Sequence, residues 1–202
     1  MSARPVELFF DPTCPWAWMT SRWLLNATEV REIAPTFSIM SLAALNEGRE
    51  LESGYRAHMD QAWRPARLAL AVENAQGKKA LSDFYTAFGT EYHVGGNKDV
   101  DAAAGTALEN AGLEASLLSA LDDSSLDDEL RNRQRHVVEL VGDEVGTPVI
   151  SFGQGVAYFG PVISPAPKGE DAGVLFDAIE AASRVEGFFE LKRSRTTGPI
   201  FD

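Results

Sequence analysis

The sequence predicts an α/β protein whose strand-bearing core is interrupted by a block of helices. Three observations carry this. Strand-like apolar runs cluster near the two ends, at Val6–Phe10, Thr36–Ser41, Val149–Phe152 and Val156–Phe159. Between about Tyr55 and Val141 the chain is alanine-rich, with apolar residues at helical spacing. One helix separates the first two strands and another closes the chain, so the order is βαβ, helices, ββα. Residues 1–52 and 143–202 are expected to form the core and residues 53–142 the helical insertion.

Val6–Phe10 reads as a buried strand, and Asp11-Pro12-Thr13 as a turn into a helix. Pro15 suits that helix's first turn, where its missing N–H would be unpaired anyway. Trp16, Met19, Trp23, Ala27 and Val30 then recur at spacings of three and four, which makes one face core. Trp18 and Trp23 are expected in the interior. The second strand, Thr36–Ser41, follows a break at Pro35, with Phe37 and Ile39 on one face and Ser38 and Met40 on the other. Its exit, Ser41 to Asn46, is expected on the edge where the first helix starts.

In the helical block, Pro65 opens a helix that Gly77 ends, with Leu68 and Val72 on its face. Leu81, Phe84, Tyr85 and Phe88 mark a second helix, and Val100, Ala104, Ala107, Leu108 and Ala111 a third, closed by Gly112. Leu117, Leu118 and Leu121 indicate a short fourth, and Leu126, Leu130, Val137 and Val141 a longer fifth. The strands at Val149–Phe152 and Val156–Phe159 make a hairpin through Gly153-Gln154-Gly155. Gly169–Arg184 is the closing helix.

A formal charge of −12 over 202 residues disfavours nucleic acid, whose affinity comes largely from cations meeting phosphates. No run of about 18 apolar residues marks a membrane span, and the N-terminus lacks an export pattern. The single cysteine excludes an internal disulfide and fits a reducing cytoplasm. The acidic run Asp122–Glu129 lacks the glycine and spacing of a calcium loop and reads as a solvated helix start. No Cys/His cluster, phosphate-cradling glycine loop or Gly-x-Ser-x-Gly elbow occurs, so no metal is expected.

What remains is sulfur chemistry at Cys14. At a helix N-terminus, unpaired N–H groups and the helix dipole favour a thiolate, and a lowered pKa would make Cys14 a nucleophile near neutral pH. The bland alternative is a buried, inert cysteine. Trp16 offers an aromatic surface beside it or packs in the core. Asn46 offers donors and an acceptor to a ligand or closes a turn. Tyr55 points a phenol into the cleft or is half-buried at a junction. His93, in Tyr92-His93-Val94-Gly95-Gly96-Asn97, is placed on a polar loop, where it stabilises a thiolate or is a surface or capping residue. His58 and His136 look structural.

Cys14-Pro15-Trp16-Ala17 after Phe10-Asp11-Pro12 resembles the active site of DsbA-like thioredoxin-fold proteins, in particular their mycothiol-dependent nitroreductase branch, whose motif is Cys-Pro-Trp-Cys. The resemblance continues through Met19-Thr20-Ser21-Arg22-Trp23, Met40 to Glu47, Val145-Gly146-Thr147-Pro148 and Phe188 to Arg193. It implies a thioredoxin-like fold with an inserted all-helical domain and a cis Thr147–Pro148 bond beside Cys14. It also implies ligand contacts from Trp16, Asn46 and, across a one-residue gap, Tyr55, with mycothiol as co-substrate.

Position 17 departs from the family, and Ala17 fits either a natural monothiol member or a substitution that traps an intermediate. Without a second thiol, an external one must release whatever Cys14 binds. The expected activity is therefore a cytoplasmic thiol-disulfide oxidoreductase or thiol transferase with a monothiol mechanism, nitroaromatic reduction being its most specific form. Its partners would be a small thiol and a small electrophilic or disulfide substrate, with the chain a monomer or homodimer. The alternatives are an enzyme like the kappa-class glutathione transferases and 2-hydroxychromene-2-carboxylate isomerases, which activates a bound thiol without bonding to it, and a redox-inactive binding scaffold.

Overall fold

The structure is a computed structural model that describes residues 3–201. Its centre is a four-stranded sheet in the order β2-β1-β3-β4, formed by β1 (Arg4–Phe10), β2 (Ile33–Ile39), β3 (Val149–Gly153) and β4 (Val156–Phe159). β1 pairs parallel with β2 and antiparallel with β3, and β3–β4 is the expected hairpin. Its turn carries positive φ at Gln154 and Gly155, the geometry that suits tight hairpins.

Helix α1 (Pro15–Thr28) joins β1 to β2, and α6 (Gly169–Ser183) packs beside it. Trp23 is fully buried between them and donates its indole N–H to the Ala172 carbonyl at 3.1 Å. Arg4 and Arg31 both pair with Asp177 of α6, tying that helix to the first βαβ unit.

Between β2 and β3 lie α2 (Leu42–Leu45), α3 (Ser53–Gly89), a wide π turn (Thr90–Val94), α4 (Val100–Asn110), 3₁₀ turns at Ala115–Asp122 and Ser124–Leu126, and α5 (Asp127–Val141). Phe10 of β1 stacks on Tyr85 of α3 with centroids 3.8 Å apart, and Trp18 meets Tyr85 edge-on at 5.7 Å. At Gly89 a side chain would lie 2.1 Å from the Trp18 ring, so this close approach requires glycine. Sheet and helices thus share one continuous core.

Two proline readings are corrected. Pro35 does not precede β2 but lies inside it, opposite Val6; β2 is an edge strand, where a missing N–H leaves no ladder bond unmade. Pro65 does not open its helix, which begins at Ser53 after the Glu52 carboxylate accepts the Gly54 and Tyr55 N–H groups. The cap outweighs the proline signal. The break expected at Gly77 is present, with φ +81° inside the α3 run. The acidic run contributes ion pairs as well as a helix start: Asp122 holds Arg64 and Asp127 holds Arg67. Among the described residues no group of three or more His, Cys, Asp or Glu gathers in metal-ligand fashion, and no helix is long and apolar enough to cross a membrane.

Candidate active site

Cys14 sits at the junction of β1 and α1 as the helix N-cap, with φ −76° and ψ 114°. Its sulfur accepts the Ala17 N–H at 3.4 Å and its thiol donates to the Thr147 carbonyl at 3.3 Å. Thr147 precedes Pro148 through a cis bond, so the start of β3 lies against the cysteine across 133 residues of sequence. The Thr147 hydroxyl is buried and has no partner. Pro15 is the first helical residue, Trp16 is half-buried against the core, and Ala17 is fully buried.

The expected lowering of the thiol pKa is not what the fold produces. Cys14 is only 6% exposed, and burial pushes its thiol up. The nearby Thr147 hydroxyl and the Ala17 and Trp16 N–H groups oppose this, while the nearby Asp11 charge adds to it. The helix N-terminus is in place, but desolvation outweighs it.

Asp11, absent from the sequence candidates, holds the loop. It is fully buried, and one carboxylate oxygen accepts the Thr13 N–H at 2.8 Å and the Thr13 hydroxyl at 2.7 Å, while the other accepts the Leu42 N–H at 2.7 Å. One side chain thereby joins the cysteine loop to the exit of β2. Burial pushes its carboxyl up, against these hydrogen bonds and the His58 charge. The legible signal was an Asp two residues before a turn N–H, the Asx pattern.

The β2 exit carries Ser41, which caps α2 through the Ala44 N–H, and Asn46, which closes α2 by donating to the Leu42 carbonyl at 2.9 Å. Tyr55 is 42% exposed, and burial followed by the Asp11 and Cys14 charges pushes its phenol up, while a hydrogen bond with Asn46 opposes. The fold therefore places Thr147 against Cys14 and brings Tyr55 within electrostatic reach of Asn46, Asp11 and Cys14.

His93 corrects its sequence placement. It is in the π turn, 4% exposed, with Nε2 3.0 Å from the Pro12 carbonyl and its ring stacked on Trp18 at 5.8 Å. Burial lowers its pKa to about 4, so at neutral pH it is uncharged and donates Nε2–H to Pro12. It positions the loop rather than stabilising the thiolate by charge. His58, expected to be structural, is exposed on the wall of a cleft of about 790 Å³ that Thr13, Pro15, Gln61, Tyr92 and Phe201 also line.

A family model described as Rv2466c-like, mycothiol-dependent nitroreductase Rv2466c, matches residues 13–193. The chain belongs to that family. The chain is also similar to the uncharacterized protein Rv2286c of Mycobacterium tuberculosis, 28% identical over 197 residues that cover 96% of this chain and 84% of that protein. Among solved structures, it is similar to the cytosolic disulfide reductase DsbM from Pseudomonas aeruginosa with GSH, at 14% identity and TM-score 0.55 over 88% of this chain and 99% of that one. A 2-hydroxychromene-2-carboxylate isomerase matches at 13% identity and TM-score 0.55, over 89% of this chain and 95% of that one. At such identities the likeness is one of fold, and that fold is thioredoxin-like with helices inserted between its second and third strands.

Proposed function

We propose that this family member is a cytoplasmic, mycothiol-dependent oxidoreductase in which Cys14 works as a single nucleophile. The observation that carries this reading is the sulfur at the N-terminus of α1, facing the Thr147 carbonyl, the idle Thr147 hydroxyl and cis-Pro148. In the resting protein the thiol is protonated and donates to Thr147. When its proton leaves, the Ala17 N–H and the Thr147 hydroxyl are the donors at hand for the thiolate.

In thiol exchange the Cys14 thiolate attacks one sulfur of a small disulfide, the S–S bond breaks, and the departing thiolate takes up a proton. The mixed disulfide on Cys14 is then attacked by a second small thiol, which restores Cys14 and leaves as the disulfide. For a nitroaromatic, Cys14 and one mycothiol together supply two electrons and two protons. The nitro group becomes nitroso, one oxygen leaves as water, and the two sulfurs join; a further mycothiol frees Cys14 as mycothiol disulfide forms. Trp16, Asn46 and Tyr55 contact the ligand in this reading.

Intact-mass spectrometry after incubation with oxidised mycothiol, and separately with oxidised glutathione, tests it. One mycothiol adduct per chain, absent from Cys14→Ser and removed by a reductant, is expected, together with loss of all thiol-dependent turnover in that variant. No adduct with either disulfide, or full turnover in Cys14→Ser, would overturn the covalent mechanism and favour activation of a bound thiol without a bond.

A further inference from the structure

Beyond α6 the chain has no regular secondary structure from Phe188 to Phe201, yet it is tied back toward the start of α1. Ser164 anchors it twice, its hydroxyl donating to the Gly198 carbonyl and accepting the Ile200 N–H, both at 2.9 Å. The Arg195 guanidinium lies 5.1 Å from the centre of the Trp16 ring. Phe201 lies 5.7 Å from the His93 ring and forms part of the cleft wall opposite Thr13 and Pro15. The segment thus reaches Trp16, two residues after Cys14, and shares a cleft with Thr13 and Pro15.

We propose that residues 194–201 form a specificity-determining strap that admits small thiols and disulfides to Cys14 and keeps protein disulfides out. The proposal rests on the reading of Cys14 as the nucleophile. A cleft of about 790 Å³, walled by Thr13 and Pro15 on either side of Cys14 in sequence and by Pro199 and Phe201 of the strap, remains open beside the cysteine loop, and that size suits a small ligand. A protein disulfide would have to bring its flanking backbone along the cysteine loop, over Trp16, where Arg195 already lies. The strap begins one residue after the family match ends at residue 193, so it lies outside the segment the family model matches. It is held by a few exposed contacts, the kind that open locally without unfolding the core.

The test compares the alkylation of Cys14 by N-ethylmaleimide and by a polyethylene-glycol maleimide, which carry the same reactive group at different sizes. The full chain is expected to react with the small reagent and resist the large one. Ending the chain after Arg193 should raise the large-to-small rate ratio about tenfold, and Ser164→Ala, which loosens the anchor in the full chain, about threefold, as local opening becomes easier. Circular dichroism establishes that each variant is folded. If the shortened chain is folded and its ratio is unchanged, the proposal is overturned; if it does not fold, the Ser164→Ala ratio decides in the same way. Because the maleimides need no mycothiol, this outcome is independent of which thiol the enzyme uses.

Discussion

Before Cys14 the chain is held by the buried hydrogen bonds of Asp11 and His93, whereas the C-terminal segment that reaches Trp16 is held by contacts largely open to solvent. Asp11 is fully buried and takes three hydrogen bonds, and His93, 4% exposed, donates to Pro12. The strap's Arg195 and Gly198 are exposed and Phe201 is half-buried. A buried donor left without its acceptor costs far more than an exposed one, which water can serve. The difference suits two tasks: a loop that holds the Cys14 sulfur 3.3 Å from the Thr147 carbonyl and, in the proposal above, a strap that screens by size what reaches it.

The comparison breaks first at Asp11. Asp11→Ala leaves the buried Thr13 N–H and the part-buried Leu42 N–H without their acceptor and is expected to destabilise the protein by about 3 kcal/mol. Urea unfolding measures this, and a loss below about 1 kcal/mol would show that the loop is held by something else.

Next comes His93, through pH. Its ordinary pKa of 6.5 falls to about 4 in the fold. Between these values the unfolded chain binds a proton that the native chain refuses, so stability falls as pH drops from 6.5 toward 4. At pH 4 the loss is at most about 3 kcal/mol. His93→Gln, which keeps a donor for Pro12 but does not titrate, should lose less over the same window. Parallel stability curves for the two proteins would remove His93 from the buried, neutral set.

The smallest effect belongs to the strap. Phe201→Ala removes a half-buried ring and is expected to cost about 1 kcal/mol or less of global stability, with faster hydrogen exchange confined to the strap and the π turn. A loss as large as that of Asp11→Ala would make the strap part of the core and erase the contrast.

Much of the fold was legible because its signals are local. The alternation in β2, the three-and-four spacing in α1 and the Gly153-Gln154-Gly155 turn each arise from side-chain periodicity or backbone freedom within a few residues. Pro35 and Pro65 misled because a proline's cost depends on the bonds around it: an edge strand has no partner for the missing N–H, and an upstream cap can start a helix before the proline is reached. That Thr147-Pro148 would lie beside Cys14-Pro15 was legible through the family resemblance, and in the structure the Cys14 thiol donates to the Thr147 carbonyl. The environment was not legible, and His93, read as lying on a polar loop, became a buried neutral donor once Trp18 and Phe201 closed over it.

The sequence by itself determined the order of strands and helices, the lone thiol at a helix start, and the absence of a second cysteine at position 17. Tertiary structure alone decided that desolvation outweighs the helix N-terminus at that thiol, that Asp11 binds the loop to the exit of β2, and that Arg195 reaches Trp16. Periodicity and capping act over one turn or one strand pair, whereas desolvation is set by everything that packs around a group. The direction of a buried thiol's pKa therefore appears only when the whole chain is folded.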